Sequence, residues 1–258
     1  MNRRVEPEFL DELPPEDPRA IRSRRDLQRL NRWMRNINVM TDALQSSLNG
    51  DGARHLAELG AGDGTFMLRV AERLPVNGKP ERRHGPSHHG SEFQSAQYSL
   101  AGDGRIPVIL LDKQDIIRPE THTAFEALGW QTKAIHADVF DWLSRPSVEA
   151  YDGMLANLFL HHFSNAQLAE IFSHAARRTR LFIAIEPRRW LWSLGFSRLL
   201  WLIGCNEVTR HDARVSIRAG FTDHELSDLW PDKGNWSLLE KPANLASHLF
   251  IAQRKGSE

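Results

Sequence analysis

From His55 to Gln253 short aliphatic runs alternate with stretches of helical periodicity, and this alternation constrains the fold more than any other feature. His55–Leu59, Lys133–His136, Gly153–Asn157 and Leu181–Ile185 read as short strands. Ile106–Leu111 is an unbroken aliphatic run, as expected for a strand buried on both faces. Between these runs, Thr65–Leu74 places Met67, Val70, Ala71 and Leu74 on one helical face, with Pro75 after it. Glu120–Leu128 reads as a second helix. Ser164 and Gln167 form a capping-box pattern that opens a helix to Arg178, and Thr222 and Glu225 repeat it before a helix to Trp230. Strands separated by helices predict an α/β fold, a parallel sheet with helices on both faces. Trp236–Glu240 and Leu245–Gln253 are joined by a short link, which predicts an antiparallel final pair.

The flanks differ from this core. Met1–Ala20 is rich in Pro, Asp and Glu and reads as an irregular arm. Leu27, Leu30, Met34, Ile37, Leu44 and Leu48 then recur at helical spacing until Asn49-Gly50-Asp51-Gly52 breaks the chain. Residues 1–50 are therefore expected to form an arm and helical cap, and 51–258 the main domain. Within it, 76–105 lacks periodicity and is rich in Gly, Ser, His and Arg, which predicts a mobile insertion. Its histidines, His84, His88 and His89, have neither neighbouring cysteines nor helical spacing, so no metal is expected.

Lys+Arg and Asp+Glu number 33 each, so the formal net charge is zero. That balance argues against a nucleic-acid partner, although Arg19–Arg35 is locally basic. The single cysteine, Cys205, cannot form an internal disulfide, and the N-terminus has no apolar signal-like run. The expectation is a cytoplasmic protein without a transmembrane segment; oligomerisation stays open.

Glu58-Leu59-Gly60-Ala61-Gly62-Asp63-Gly64 lies between a strand and a helix. Glycines there permit a tight turn and close approach of a ligand to the backbone. A nucleotide-type ligand also needs an acidic residue at the end of the next strand, for ribose hydroxyls. Asp112 ends Ile106–Leu111 as required. It lies 48 positions beyond Gly64; without the 30 residues of 76–105 the separation is 18, against roughly 20 in the dinucleotide pattern. The spacing here is G-x-G-x-G rather than G-x-G-x-x-G. Glu58 and Asp63 add negative charge, which suits a ligand with a sulfonium and an ammonium better than one with a pyrophosphate.

The run E-L-G-A-G-D-G-T resembles motif I of the class I S-adenosylmethionine-dependent methyltransferases. Leu111-Asp112 resembles motif II, His136–Val139 motif III, Tyr151–Asn157 motif IV, and Leu181–Pro187 the strand after it. The resemblance covers about Leu56 to Ala252 and implies a Rossmann-like sheet of seven strands with the last reversed. It further implies S-adenosylmethionine as cofactor. Gly60, Ala61 and Gly62 would line its methionine part and Glu58 its amino-acid end. Asp112, with neighbouring Lys113, would take the ribose, and Asp138 and Val139 the adenine; Asn157 would close the site at motif IV. The alternative for Asp138 is a helix cap for Phe140–Leu143.

On the acceptor side, Asn157-Leu158-Phe159-Leu160-His161-His162-Phe163 lacks the two prolines common in methylation of amide or adenine nitrogen. Two histidines follow instead. Either His161 or His162, with His161 slightly preferred, is a candidate base for a hydroxyl; the alternative is a histidine that holds the loop. Trp190–Gly204 is strongly apolar and reads as a core helix, a lid over a greasy acceptor, or a membrane-surface contact. The polar stretch Arg210–Arg218 supplies Arg210, His211 and Arg218 as candidate acceptor contacts. The set resembles small-molecule O-methyltransferases of phenolic lipids, quinones or polyketide aromatics. C-methylation of a quinone precursor, a non-catalytic cofactor-binding or assembly protein, and a nicotinamide oxidoreductase are the competing readings.

Overall fold

The structure is a computed structural model and describes residues 2–48, 55–74, 105–146, 150–190, 195 and 200–256. Seven strands form one sheet: β1 (Leu56–Leu59), β2 (Ile106–Asp112), β3 (Trp130–His136), β4 (Gly153–Asn157), β5 (Leu181–Pro187), β6 (Trp236–Pro242) and β7 (Ser247–Arg254). Their order is β3-β2-β1-β4-β5-β7-β6. β1 to β5 run parallel, and β7 alone is reversed, inserted between β5 and β6. This is the sheet the alternation and the resemblance predicted.

Nine helices accompany the sheet among the described residues: α1 (Phe9–Glu12), α2 (Pro18–Trp33), α3 (Asn36–Ser47), α4 (Thr65–Ala71), α5 (Pro119–Ala127), α6 (Val139–Ser144), α7 (Asn165–Arg178), α8 (Glu207–Ala219) and α9 (Glu225–Leu229). The two-residue period of the strands sorts the core into two layers. Ala57, Leu59, Ile109 and Leu111 pack against α6, α7 and α9. Leu56, Val108 and Leu110 pack against α3, α4 and α5. Ser164 completes its capping box with Gln167 at the start of α7. At α9 only half of the second box forms: the Thr222 N–H donates to Glu225 at 3.0 Å, while the Thr222 side chain caps nothing there.

Three features add detail to the sequence expectations. The N-terminal arm is mostly irregular but holds the short helix α1, and its last residues begin α2. Pro18 sits in the first turn of α2, and Asp17 caps it by accepting from the Arg19 N–H at 2.8 Å. This is a helix-start signal that the acidic composition obscured. The expected helical segment consists of two helices, because Arg35 adopts φ 58° and turns the chain between α2 and α3. Finally, the polar stretch after Gly204 is the regular helix α8, capped by the Asn206 side chain. The expected insertion, apart from Arg105, and residues 191–194 and 196–199 of the apolar run Trp190–Gly204 lie outside the described residues.

Candidate functional site

The order of the parallel strands reverses between β1 and β4, and a crevice forms where connections leave a sheet in opposite directions. A cleft of about 1350 Å³ opens at that point, beyond the C-terminal ends of the strands. α2, α8 and the N-terminal arm roof it.

The floor on one side is the turn after β1. Gly60, Gly62 and Gly64 all have positive φ (70°, 57° and 75°), which side-chain-bearing residues adopt rarely. Gly60 has a second constraint: a Cβ there would come within 2.2 Å of the Phe159 ring. At Gly62 a Cβ would meet nothing within 4 Å, so open cleft lies over the turn. Asp112, at the end of β2, ties this turn to its own loop. Its carboxylate accepts from the Gly62 N–H and from the Gln114 N–H, both at 2.8 Å.

Beneath the turn, Glu58 is almost fully buried, and its Oε2 has no hydrogen-bond partner. Burial, with the negative charges of Asp112 and Asp63, pushes its carboxyl well above the usual range. Such an arrangement is costly until a cation or donor arrives. Asp63 itself is satisfied by the Thr65 N–H at 3.0 Å and by Gln28 at 2.8 Å. Asn157, at the end of β4, bonds Asn36 at 3.2 Å, and Asn36 and Ser247 continue the chain of contacts to β7.

The other side is built around the 3₁₀ turn Leu160–His162. Leu158, with φ 52°, turns the chain out of β4. Glu186, fully buried at the end of β5, then gathers the turn. It accepts from the N–H groups of Phe159 (3.0 Å), Leu160 (2.8 Å) and His161 (3.3 Å), and pairs with His161 Nδ1 at 2.8 Å. His161 Nε2 faces Glu8 of the arm at 3.2 Å. Burial alone would lower the His161 pKa, but the hydrogen bonds and charges of Glu186 and Glu8 outweigh it and raise it to about 9. Glu8 shifts in the complementary sense: burial would raise its pKa, and His161 brings it below the usual value. His162 pairs through Nδ1 with Asp11 Oδ2 at 3.3 Å. Its Nε2 has no partner among the described residues. Glu8, His161 and His162 offer atoms within 4.8 Å of one another, close enough in principle for a metal ion. Carboxylates already engage both nitrogens of His161, so the group is satisfied as an ion pair.

All the expected cofactor positions, Glu58, Gly60, Ala61, Gly62, Asp112, Lys113, Asp138, Val139 and Asn157, line the cleft, as do both histidines. Asp138 also caps α6, accepting from the Phe140 N–H at 2.8 Å. Lys113 stands 3.4 Å from Asp11. The expected acceptor contacts are placed differently. α8 faces the cleft with Ala213, Ser216 and Ile217, and none of Arg210, His211 and Arg218 lines it. A helix advances 100° per residue, so His211 and Arg218 fall on the far side. His211 stacks on Phe9 at 3.8 Å, and Arg210 Nε folds back on the Asn206 carbonyl. Sequence reasoning missed Glu8, Asp11 and Glu186. Only Glu186 carried a signal, as an acidic residue that ends a parallel strand just as Asp112 does.

No protein-family model matches the sequence, and no curated protein matches it. Solved structures do share the fold. The plantazolicin methyltransferase BpumL, in complex with SAH, superposes with a TM-score of 0.61 at 12% identity, covering 93% of this chain and 92% of its own. An O-methyltransferase family protein from Burkholderia thailandensis gives 0.56 at 17% identity, over 94% of this chain and 62% of the other. The pyocyanin biosynthetic protein PhzM gives 0.56 at 15%, over 96% and 62%. This chain thus spans under two thirds of the length of the last two. The fold is that of S-adenosylmethionine-dependent methyltransferases.

Proposed function

We propose that this protein transfers the methyl group of S-adenosylmethionine to a hydroxyl of a small, fairly apolar acceptor of phenolic, quinol or polyketide type. The observation that carries the reading is the orphaned Glu58 oxygen beneath an open glycine turn, beside Asp112 in one cleft. A ligand with an ammonium, a sulfonium and a ribose answers all three. Glu58 would meet the ammonium, directly or through water. Asp112, with lone pairs to spare beyond its two backbone donors, would accept from the ribose hydroxyls, with Lys113 alongside. Asp138 and Val139 would border the adenine, and Asn157 the passage to the acceptor. When bound, the cofactor supplies a methyl group already activated by its sulfonium.

The chain must then align the acceptor and receive its proton. Of the two histidines, His162 suits that role. Its Nδ1 faces Asp11, which leaves Nε2 to take the hydroxyl proton as the oxygen gains the methyl group. His161, held as a cation between Glu186 and Glu8, has no free nitrogen for a proton and instead fixes the turn that presents His162. Apolar lining residues such as Leu27, Leu30, Phe163 and Leu200 favour an apolar acceptor, and the similar structures include a plantazolicin methyltransferase and a pyocyanin biosynthetic protein. The test is a methyl-transfer screen on phenols and quinols. With any acceptor found, His162→Ala lowers turnover by about 10²–10⁴ while SAH affinity stays the same. A loss under tenfold overturns the base assignment.

A further inference from the structure

The mouth of the cleft carries a surface that methyl transfer does not use. Trp33, at the end of α2, is 67% exposed; in the turn before α8, Trp201, Leu202 and Ile203 are 59%, 60% and 54% exposed. Single exposed apolar side chains are ordinary, whereas a gathered set marks an interaction surface. Leu202, Ile203 and Trp33 rim the same cleft.

Cations border this set. Arg22, Arg25, Arg29 and Arg32 are exposed and recur along one side of α2. The helix contains a single acid, Asp26, which is buried and paired with Arg29. Two of the guanidiniums stand at the apolar turn itself: Arg22 donates to the Gly204 carbonyl at 3.1 Å and Arg29 to that of Ile203 at 3.4 Å.

We infer that this face docks on an anionic lipid surface. Trp33, Trp201, Leu202 and Ile203 enter the boundary between headgroups and acyl chains, and the arginines of α2 meet the headgroup phosphates. Tryptophan is favoured at that depth, and basic residues beside an apolar face add attraction to anionic lipid. A second copy of the chain fits less well, because it would bring two arginine rims together. Nucleic acid fits less well too, since Leu202 and Ile203 give a phosphate backbone nothing to bind. No described helix is long and apolar enough to cross a membrane, so the contact is peripheral. Docked this way, the cleft mouth faces the bilayer, and an apolar acceptor could enter without crossing water. That last consequence rests on the acceptor class proposed above; the docking does not.

The experiment is flotation of the full chain with vesicles of phosphatidylglycerol and phosphatidylcholine in equal parts, and with phosphatidylcholine alone. The expected result is binding to the mixed vesicles only, weakened by salt, with a blue shift of tryptophan emission. The triple variant Trp201→Ser, Leu202→Ser, Ile203→Ser and the double variant Arg25→Gln, Arg32→Gln each lower the partition coefficient roughly tenfold or more. Both variants keep their circular dichroism and SAH binding, so failure of docking is read separately from failure of the cofactor assignment. Equal binding to both vesicle types, no binding, or unchanged partition in the variants overturns the inference. A dimer in sedimentation that Trp201→Ser dissolves would give the surface to a second copy and overturn it as well.

Discussion

The two sides of the cleft are built on different principles. The proposed cofactor side is local. The turn after β1 and the end of β2 are adjacent strands of one sheet, and Gly62 and Asp112 meet because their strands pair. The proposed acceptor side is assembled from remote pieces. Glu8 meets His161 across 153 positions of sequence, and Asp212 of α8 receives the N–H groups of Phe9 and Leu10 at 2.9 and 3.0 Å. The two sides also differ in charge. Glu58 waits unpaired, whereas Glu8, His161 and Glu186 satisfy one another. One side is left incomplete for a ligand; the other is complete as a scaffold and presents His162.

Breaking the scaffold should have the largest effect. Glu186→Leu leaves three backbone N–H groups and a charged imidazole without their acceptor. Removing one partner of such a buried pair costs about 3–5 kcal/mol, read as a fall in the urea midpoint. A loss below about 1 kcal/mol would mean that the turn does not depend on Glu186.

The next effect is pH dependence. The pKa of His161 is raised from 6.5 in the unfolded chain to about 9 in the folded one. Its contribution is therefore fully present below pH 6.5 and is lost as the pH climbs through 9. The span corresponds to an order of 3 kcal/mol. Unfolding measured from pH 6 to 9.5 should show stability falling in this window, and His161→Ala should flatten that slope. A slope unchanged by the substitution would dissolve the contrast between the two sides.

The smallest effect has the opposite sign. The carboxyl of Glu58 is raised, so its ionised form weighs against folding above pH 4.5. Glu58→Gln should stabilise the ligand-free protein at pH 7 by roughly 1 kcal/mol, while weakening SAH binding about tenfold. Destabilisation without loss of affinity would show that Glu58 serves the fold rather than a ligand.

This contrast also explains what could be read from the sequence. The glycines of the β1 turn, Asp112 and the strand alternation are local patterns, and each element fell within a few residues of its expected place. β3 begins three residues before the expected start, at Trp130, because a buried tryptophan anchors an edge strand whose next three residues, Gln131, Thr132 and Lys133, are polar. Glu8 and Asp11 could not be found, since only the folded arm brings them to the histidines. His161 and His162 were legible as a pair, but the division of roles proposed for them was not; it rests on which carboxylate faces which nitrogen. Arg210, His211 and Arg218 are close in sequence, but α8 turns His211 and Arg218 to its far side and Arg210 folds back on the Asn206 carbonyl.

The central claim is that the cleft binds S-adenosylmethionine through Glu58, the glycine turn and Asp112. Calorimetric titration with SAH, with NADH as the control, tests it most directly on wild type and Asp112→Ala. The account predicts binding of SAH alone, weakened about a hundredfold by the substitution, as expected for the loss of two hydrogen bonds to a charged acceptor. Absence of SAH binding, or equal affinity in the two proteins, would contradict it.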